Sequence, residues 1–382
     1  KTQTASHPLS EVELELKSGS ADKLYKAALA LQKAVPLSIE NKSKAALGYA
    51  LHKPQSLQFH KAGAVKLNAD MTAEQAFVHI IWHCLGHLQA NEDMVLHGED
   101  IEGVHQMRVA LRRLRSGLTL YKSLIHKNIY AELGAELKWM TDVLGVARDW
   151  DVFALSLQNM PARNNQVSLS PAIARKLGNL QTRVADKKAG AYVAVRDALR
   201  SQRYSRTLLL LGKWLTGRRW RRKLDAAILQ RLDSPITYFA SQVIESYSQR
   251  VNRQGENLSQ LDAEQLHQLR ISIKKLAYGT RFFAELYPRE IARPYTKSLS
   301  HLQDELGILN DGNVATDLLN QVGLGENARV RHFLNGWYAH QQTTHLASLE
   351  AAWQAFIEQK IKFFGRVEKP ALGSLNGIDS NQ

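Results

Sequence analysis

Two hydrophobic rhythms divide this chain of 382 residues. From about residue 72 to 366, apolar residues recur at spacings of three and four, the period of helices that bury one face. Proline is sparse there and falls at boundaries, at Pro161, Pro171, Pro235, Pro288 and Pro294. Thr72-Ala73-Glu74-Gln75 has the capping-box pattern that opens a helix. Polar stretches at 159–171 and around Asp233-Ser234-Pro235 break the run. Upstream the rhythm changes. Val12-Glu13-Leu14-Glu15-Leu16-Lys17 alternates strictly and predicts a half-buried β-strand with Glu11, Glu13, Glu15 and Lys17 on one face. A helix is expected from Ala21 to Lys33, with Leu24, Ala28 and Leu31 on its apolar side. A lone strand needs partners, so this one reads either as an edge with a solvated acidic face or as a row of metal-binding carboxylates.

The helical part repeats itself. His105-Gln106-Met107-Arg108 through Leu114 matches His267-Gln268-Leu269-Arg270 through Leu276 without a gap, at an offset of 162 residues. Leu144-Gly145 to Val152 matches Leu306-Gly307 to Val314 at the same offset. The expectation is two similar helical halves, 72–225 and 232–366, packed about a pseudo-twofold axis. Residues 1–66 form a separate small α+β unit in this reading, and 367–382 a flexible tail.

Charge changes the picture most. Lys and Arg number 50 against 36 Asp and Glu, a formal charge of +14. Such an excess points to a polyanionic partner. On a helix, His105, Arg108, Arg112 and Arg115 share one face, and Met107, Leu111, Leu114 and Leu118 the opposite one. His267, Arg270, Lys274 and Arg281 repeat the arrangement against Leu269, Ile273 and Leu276. A solvated helix face ordinarily mixes signs. Here residues 103–131 carry six Lys and Arg, 265–284 four, and 198–224 nine, with no Asp or Glu in any of the three. An anionic ligand is the expected source of the missing charge.

Other residue types bear on the chemistry less directly. The single cysteine, Cys84, rules out a disulfide framework and is compatible with a reducing compartment. His83-Cys84-His87 lacks a second cysteine pair, which disfavours zinc. Asp149 and Asp311 follow Leu-Gly pairs and are expected to cap a helix or orient an arginine, and Gly145 and Gly307 to permit a helix end or a close approach. Trp214 and Trp220, set among arginines, are expected to pack in the bundle rather than stack on bases. No run approaches the ~18 apolar residues of a membrane span. The opening Lys1 and its polar neighbours read as a truncated end, with no signal peptide.

The segments HQMRVALRRLRSGLTLY and LGVARDWDV, with HQLRISIKKL and LQDELGILNDGNVA in the second half, resemble the CHAD family, the helical domain named for its histidines. The resemblance covers about residues 72–366. It implies an all-α fold of two antiparallel four-helix bundles with pseudo-twofold symmetry and a basic central groove, and a family that binds inorganic polyphosphate. By motif position, His105, Arg108, Arg112, Arg113 and Arg115 match the first signature, and His267, Arg270, Lys274 and Lys275 the second. Ala277 stands where an Arg opposite Arg115 is expected, with Arg281 as the candidate substitute. SEVELELKSG and Ser43–Tyr49 resemble the last part of a CYTH domain, a metal-dependent triphosphatase tunnel. Glu11, Glu13, Glu15 and Lys44 then resemble tunnel residues, although the amino-terminal ExExK strand is absent.

The expected function is polyphosphate binding in a groove where His105, Arg108 and Arg112 face His267, Arg270 and Lys274, extended by Arg203, Arg206 and Arg219. The helical domain is expected to be non-catalytic and to need no cofactor. Mg or Mn would serve only an intact CYTH domain, whose triphosphatase activity is the alternative. A non-specific nucleic-acid binder is the further rival. A monomer or homodimer in the cytoplasm, free or at polyphosphate granules, completes the expectation.

Overall fold

The computed structural model describes residues 8–53, 56–163, 170–218, 220–221, 224–323, 325 and 329–366. The fold is all-α. Helices α1 (Asp22–Ala34) and α2 (Lys44–His52) precede the helical repeat. Its first half contains α3 (Ala73–Gln89), the short α4 (Glu92–His97), α5 (Ile101–Leu120), α6 (Lys127–Arg163), α7 (Pro171–Arg200) and α8 (Gln202–Gly217). After α9 (Ala226–Asp233), the second half contains α10 (Ile236–Gln254), α11 (Ala263–Phe283), α12 (Arg289–Gln321) and α13 (Arg329–Arg366). Helices α3, α5, α6 and α7 pack in succession, as do α10, α11, α12 and α13, and α5 meets α11. The first residues of α5 and α11, and of α6 and α12, are each 162 residues apart.

Local chemistry sets the helix starts. The Thr72 hydroxyl accepts from Gln75 N (3.2 Å) and the Gln75 side chain accepts from Thr72 N (2.9 Å). Asp262 and Gln265 repeat this reciprocal cap on α11 at 2.8 and 2.9 Å. The segments entering α3 and α10 pair in a single antiparallel bridge, with Ala73 N donating to Ser234 O and Ile236 N to Met71 O, both at 2.9 Å. An aromatic run crosses from one half to the other. Phe77 lies 4.7 Å from Tyr121, and Tyr121 stacks on Phe239 at 4.5 Å. Such pairs add about 0.5–1.5 kcal/mol each beyond the area they bury. Met107, Leu111, Leu114 and Leu118, with Leu269, Ile273 and Leu276, are all buried, as their spacing requires. Trp220 is buried too, its indole N–H donating to Glu74 at 3.0 Å, and Trp214 packs against it at 4.7 Å.

The amino-terminal unit departs from expectation. Residues 12–17 form no strand, and no β-strand occurs among the described residues. Val12, Leu14 and Leu16 are exposed, and Lys44 Nζ pairs with Glu11 (2.9 Å) and Glu13 (3.2 Å). Alternation prepares a strand, but peptide groups need a neighbouring strand to complete it. The helix expected at 21–33 is present as α1. It docks on α8, where the Tyr25 ring lies against the bare backbone of Gly212 and Gln32 Nε2 donates to Gln202 O at 3.3 Å. No helix among the described residues is long and apolar enough to cross a membrane.

Between α4 and α8, the Tyr204 hydroxyl donates to Glu92. Burial pushes the Glu92 carboxyl up to about 7, outweighing that hydrogen bond. A carboxyl whose folded pKa is raised favours the fold below its ordinary value, and that contribution fades as pH rises through about 7. Glu92→Gln, neutral throughout, should therefore melt higher than the wild type near pH 8, with the gap closing as pH falls to about 4. Thermal denaturation across this range tests it; a gap that does not depend on pH would refute the assignment.

Candidate anion-binding site

A cleft of about 1140 Å³ opens between α5, α11 and α12, with residues 62–64 along one side. Helix α5 contributes His105, Arg112 and Arg113, α11 contributes Arg270, Lys274 and Arg281, and α12 contributes Arg293 and Lys297. Asp304 is the one carboxylate among the described lining residues. The apolar stripes of α5 and α11 are buried, which leaves His105 and Arg112 of one and Arg270, Lys274 and Arg281 of the other along the same opening.

Several of these cations are held in place. Arg113 is only 8% exposed. Its Nη2 donates to Gly63 O at 3.1 Å and its guanidinium lies 5.8 Å from the centre of the Phe282 ring. The same extended segment is pinned at His60, whose N–H donates to Asn91 Oδ1 (2.9 Å) and whose carbonyl accepts from Asn91 Nδ2 (3.0 Å) and His87 Nε2 (2.9 Å). Arg281 Nη2 donates to Ser300 Oγ at 2.7 Å and reaches Gln303 Oε1 at 3.4 Å, which fixes it between α11 and α12.

Burial pushes the His105 imidazole below its ordinary value, and Arg148, Arg112 and Arg108 push the same way. Burial also lowers Arg108, against the pull of Asp149. Asp149 in turn is raised by burial against the pull of Arg108 and Arg148. The Leu144-Gly145 and Leu306-Gly307 pairs lie inside α6 and α12, not at helix ends. Asp149 therefore caps nothing, and it attracts Arg108 and Arg148. The Asp311 side chain lies outside the described residues. No group of three His, Cys, Asp or Glu side chains among the described residues is placed to hold a metal ion.

Residues 79–320 match the CHAD domain. The chain belongs to the CHAD family. Its structure is similar to the crystal structure of the CHAD domain from the plant Ricinus communis, with a TM-score of 0.66 and 30% identity over 79% of this chain and 97% of that one. PptA from Streptomyces chartreusis shares the fold at a TM-score of 0.52 and 14% identity, over 76% of this chain and 99% of that one. Over 120 residues the chain is 35% identical to an uncharacterized protein of Mycobacterium tuberculosis, Rv2226, a match that takes in 30% of this chain and 22% of that protein.

The CHAD fold gathers His105, Arg112, Arg113, Arg270, Lys274 and Arg281 from the two signatures. Arg108 and Lys275 are half-buried, and Arg115 and His267 exposed, and none of the four lines the cleft. Arg203 and Arg206 also lie outside it. Arg203 donates to both oxygens of Glu136 (2.8 and 3.2 Å) and covers the Trp139 ring at 4.1 Å. Arg219 lies outside the described residues. Sequence reasoning missed Arg293 and Lys297. Their four-residue spacing on α12 was a usable signal, but the repeat hides it, because the counterparts in α6 are Ala131 and Ala135.

Arg113→Ala should speed amide hydrogen exchange over residues 60–67, while α10 keeps its protection. Unchanged exchange at 60–67 would mean that this segment is held without the Arg113–Gly63 bond.

Proposed function

We propose that this chain binds inorganic polyphosphate in the α5–α11–α12 cleft, without turning it over and without a cofactor. The observation that carries the reading is the lining: seven Lys and Arg side chains from both halves, plus His105, against a single described carboxylate. Arginine offers paired N–H donors to phosphate oxygens and lysine a mobile point charge. The resemblance to a polyphosphate-binding family supports the same ligand. Residues 72–366 form the binding unit in this reading, acting as a monomer or homodimer, with cytoplasm or polyphosphate granules as its location.

Nucleic acid is the rival ligand, and it calls for aromatic platforms on which bases stack. Trp220 is buried, and Trp214 is half-buried and packed against it. A second reading concerns the amino-terminal segment. The exposed alternation of Val12, Leu14 and Leu16 with Glu11, Glu13 and Glu15 fits the late strand of a CYTH sheet. A Mg- or Mn-dependent triphosphatase activity would then belong to a larger protein containing that sheet.

Titration with long-chain polyphosphate and charge-matched single-stranded DNA, at two salt concentrations, tests the main reading. Polyphosphate should bind more tightly and keep its advantage at the higher salt, although both weaken as counterion release loses its drive. Replacing His105, Arg112, Arg270 and Lys274 together by Ala should weaken polyphosphate binding at least about tenfold, roughly 1.4 kcal/mol. Arg203→Ala with Arg206→Ala should leave it unchanged. Equal binding of the two polymers, unaffected by the four changes, would mark a generic basic surface.

A pH dependence follows from His105. Its folded value lies below the ordinary 6.5, and a bound polyanion raises it. Binding should therefore take up a proton and tighten as pH falls through the interval between the free and the bound value of His105, and His105→Gln should flatten that part of the profile. Calorimetry in buffers of different ionisation enthalpy would read the proton directly, and identical uptake in His105→Gln would refute the assignment.

A further inference from the structure

The two halves use equivalent glycines differently. Gly145 and Gly307 stand at matching repeat positions, both inside long helices. Glycine there weakens a helix relative to alanine, so its presence asks for a reason. At Gly145 the reason is visible. The guanidinium of Arg108 lies against the bare backbone, and a Cβ at position 145 would stand 2.8 Å from Arg108 Nη1. Arg270 is the repeat counterpart of Arg108, yet at Gly307 no described atom comes within 4 Å of a Cβ position. Openness by itself means little, since Gly86, Gly134 and Gly178 are equally open. Gly307 differs from them because it lines the basic cleft and because its counterpart is filled by a cationic side chain.

We propose that Gly307 is the clearance position of the cleft, where a phosphoryl group of the bound chain lies against the bare α12 backbone in the space that Arg108 fills in the first half. This deepens the polyphosphate reading and rests on it. The helix interior has no spare N–H to offer, so Gly307 supplies room and the neighbouring cations supply the attraction. Arg270, Lys274 and Arg281 line the same cleft and outnumber the Asp304 carboxylate one turn earlier. The site is then one-sided. The ligand runs along the α11–α12 face, where Arg293 and Lys297 stand, while the corresponding first-half positions are Ala131 and Ala135. The first half adds His105, Arg112 and Arg113 to that face.

The test is titration of the full chain and its Gly307→Leu, Gly307→Lys and Gly145→Ala variants with long-chain polyphosphate and with tripolyphosphate, beside thermal melts. Gly307→Leu and Gly307→Lys should melt at or above the wild type, because both replace a helical glycine whose Cβ position meets no described atom within 4 Å. Both should bind either ligand several-fold more weakly, the lysine variant in spite of its added positive charge. Gly145→Ala should displace the Arg108 guanidinium and leave the melt close to that of the wild type, the helix propensity gained offsetting the shift. Wild-type affinity in Gly307→Leu, or tighter binding by Gly307→Lys, would overturn the inference while leaving the polyphosphate reading intact. Failure of the wild-type chain to bind polyphosphate at all would overturn the reading itself and this inference with it.

Discussion

Helices α5 and α11 each have one apolar face to bury, and they bury it in a shared core. Met107, Leu111 and Leu114 on one helix, and Leu269, Ile273 and Leu276 on the other, leave water together. Once those faces are fixed inward, the rest of each helix has no choice. His105, Arg112, Arg270 and Lys274 are carried to the same opening whatever their mutual repulsion. The hydrophobic contribution of a buried Leu or Ile side chain is about 1.5–3 kcal/mol. Repulsion between neighbouring like charges on a helix is a few tenths of a kcal/mol per pair. Burial therefore wins, and the described lining of the cleft carries seven Lys and Arg against one carboxylate.

The fold nevertheless manages its deeper cations one by one. Arg113 is tied to the Gly63 carbonyl and Arg281 to Ser300 and Gln303, while Arg108 is drawn to Asp149 over the gap that Gly145 leaves. These ties hold guanidinium groups in fixed places. They also bring a segment from outside the CHAD match, residues 60–64, to the edge of the cleft. The amino-terminal part is thus attached twice, by this segment and by α1 lying on α8.

Charge balance explains why one expected part of the groove is elsewhere. Residues 198–224 contain nine Lys and Arg and, like the cleft-lining stretches of α5 and α11, no acid. In the folded chain, acids from distant positions answer several of them. Glu136 holds Arg203, and Glu74 and Asp233 hold Arg221 at 2.8–2.9 Å. A count along the chain sees neighbours within a few residues, whereas ion pairing depends on separation in space.

The sequence alone determined the helical class, the repeat and its offset of 162 residues, the capping box at Thr72, the buried faces of α5 and α11 and six of the cleft's basic residues. All of these follow from spacing along one helix or from likeness between two, which are properties of neighbours in the chain. The tertiary structure decided the rest. It left residues 12–17 without a strand because no second strand stands beside them, and it ran α6 and α12 straight through their Leu-Gly pairs. It also added Arg293 and Lys297 from α12 to the cleft and made two equivalent glycines unequal. Each of these depends on which side chain from a remote part of the chain arrives at a given place, and only the packed molecule sets those distances.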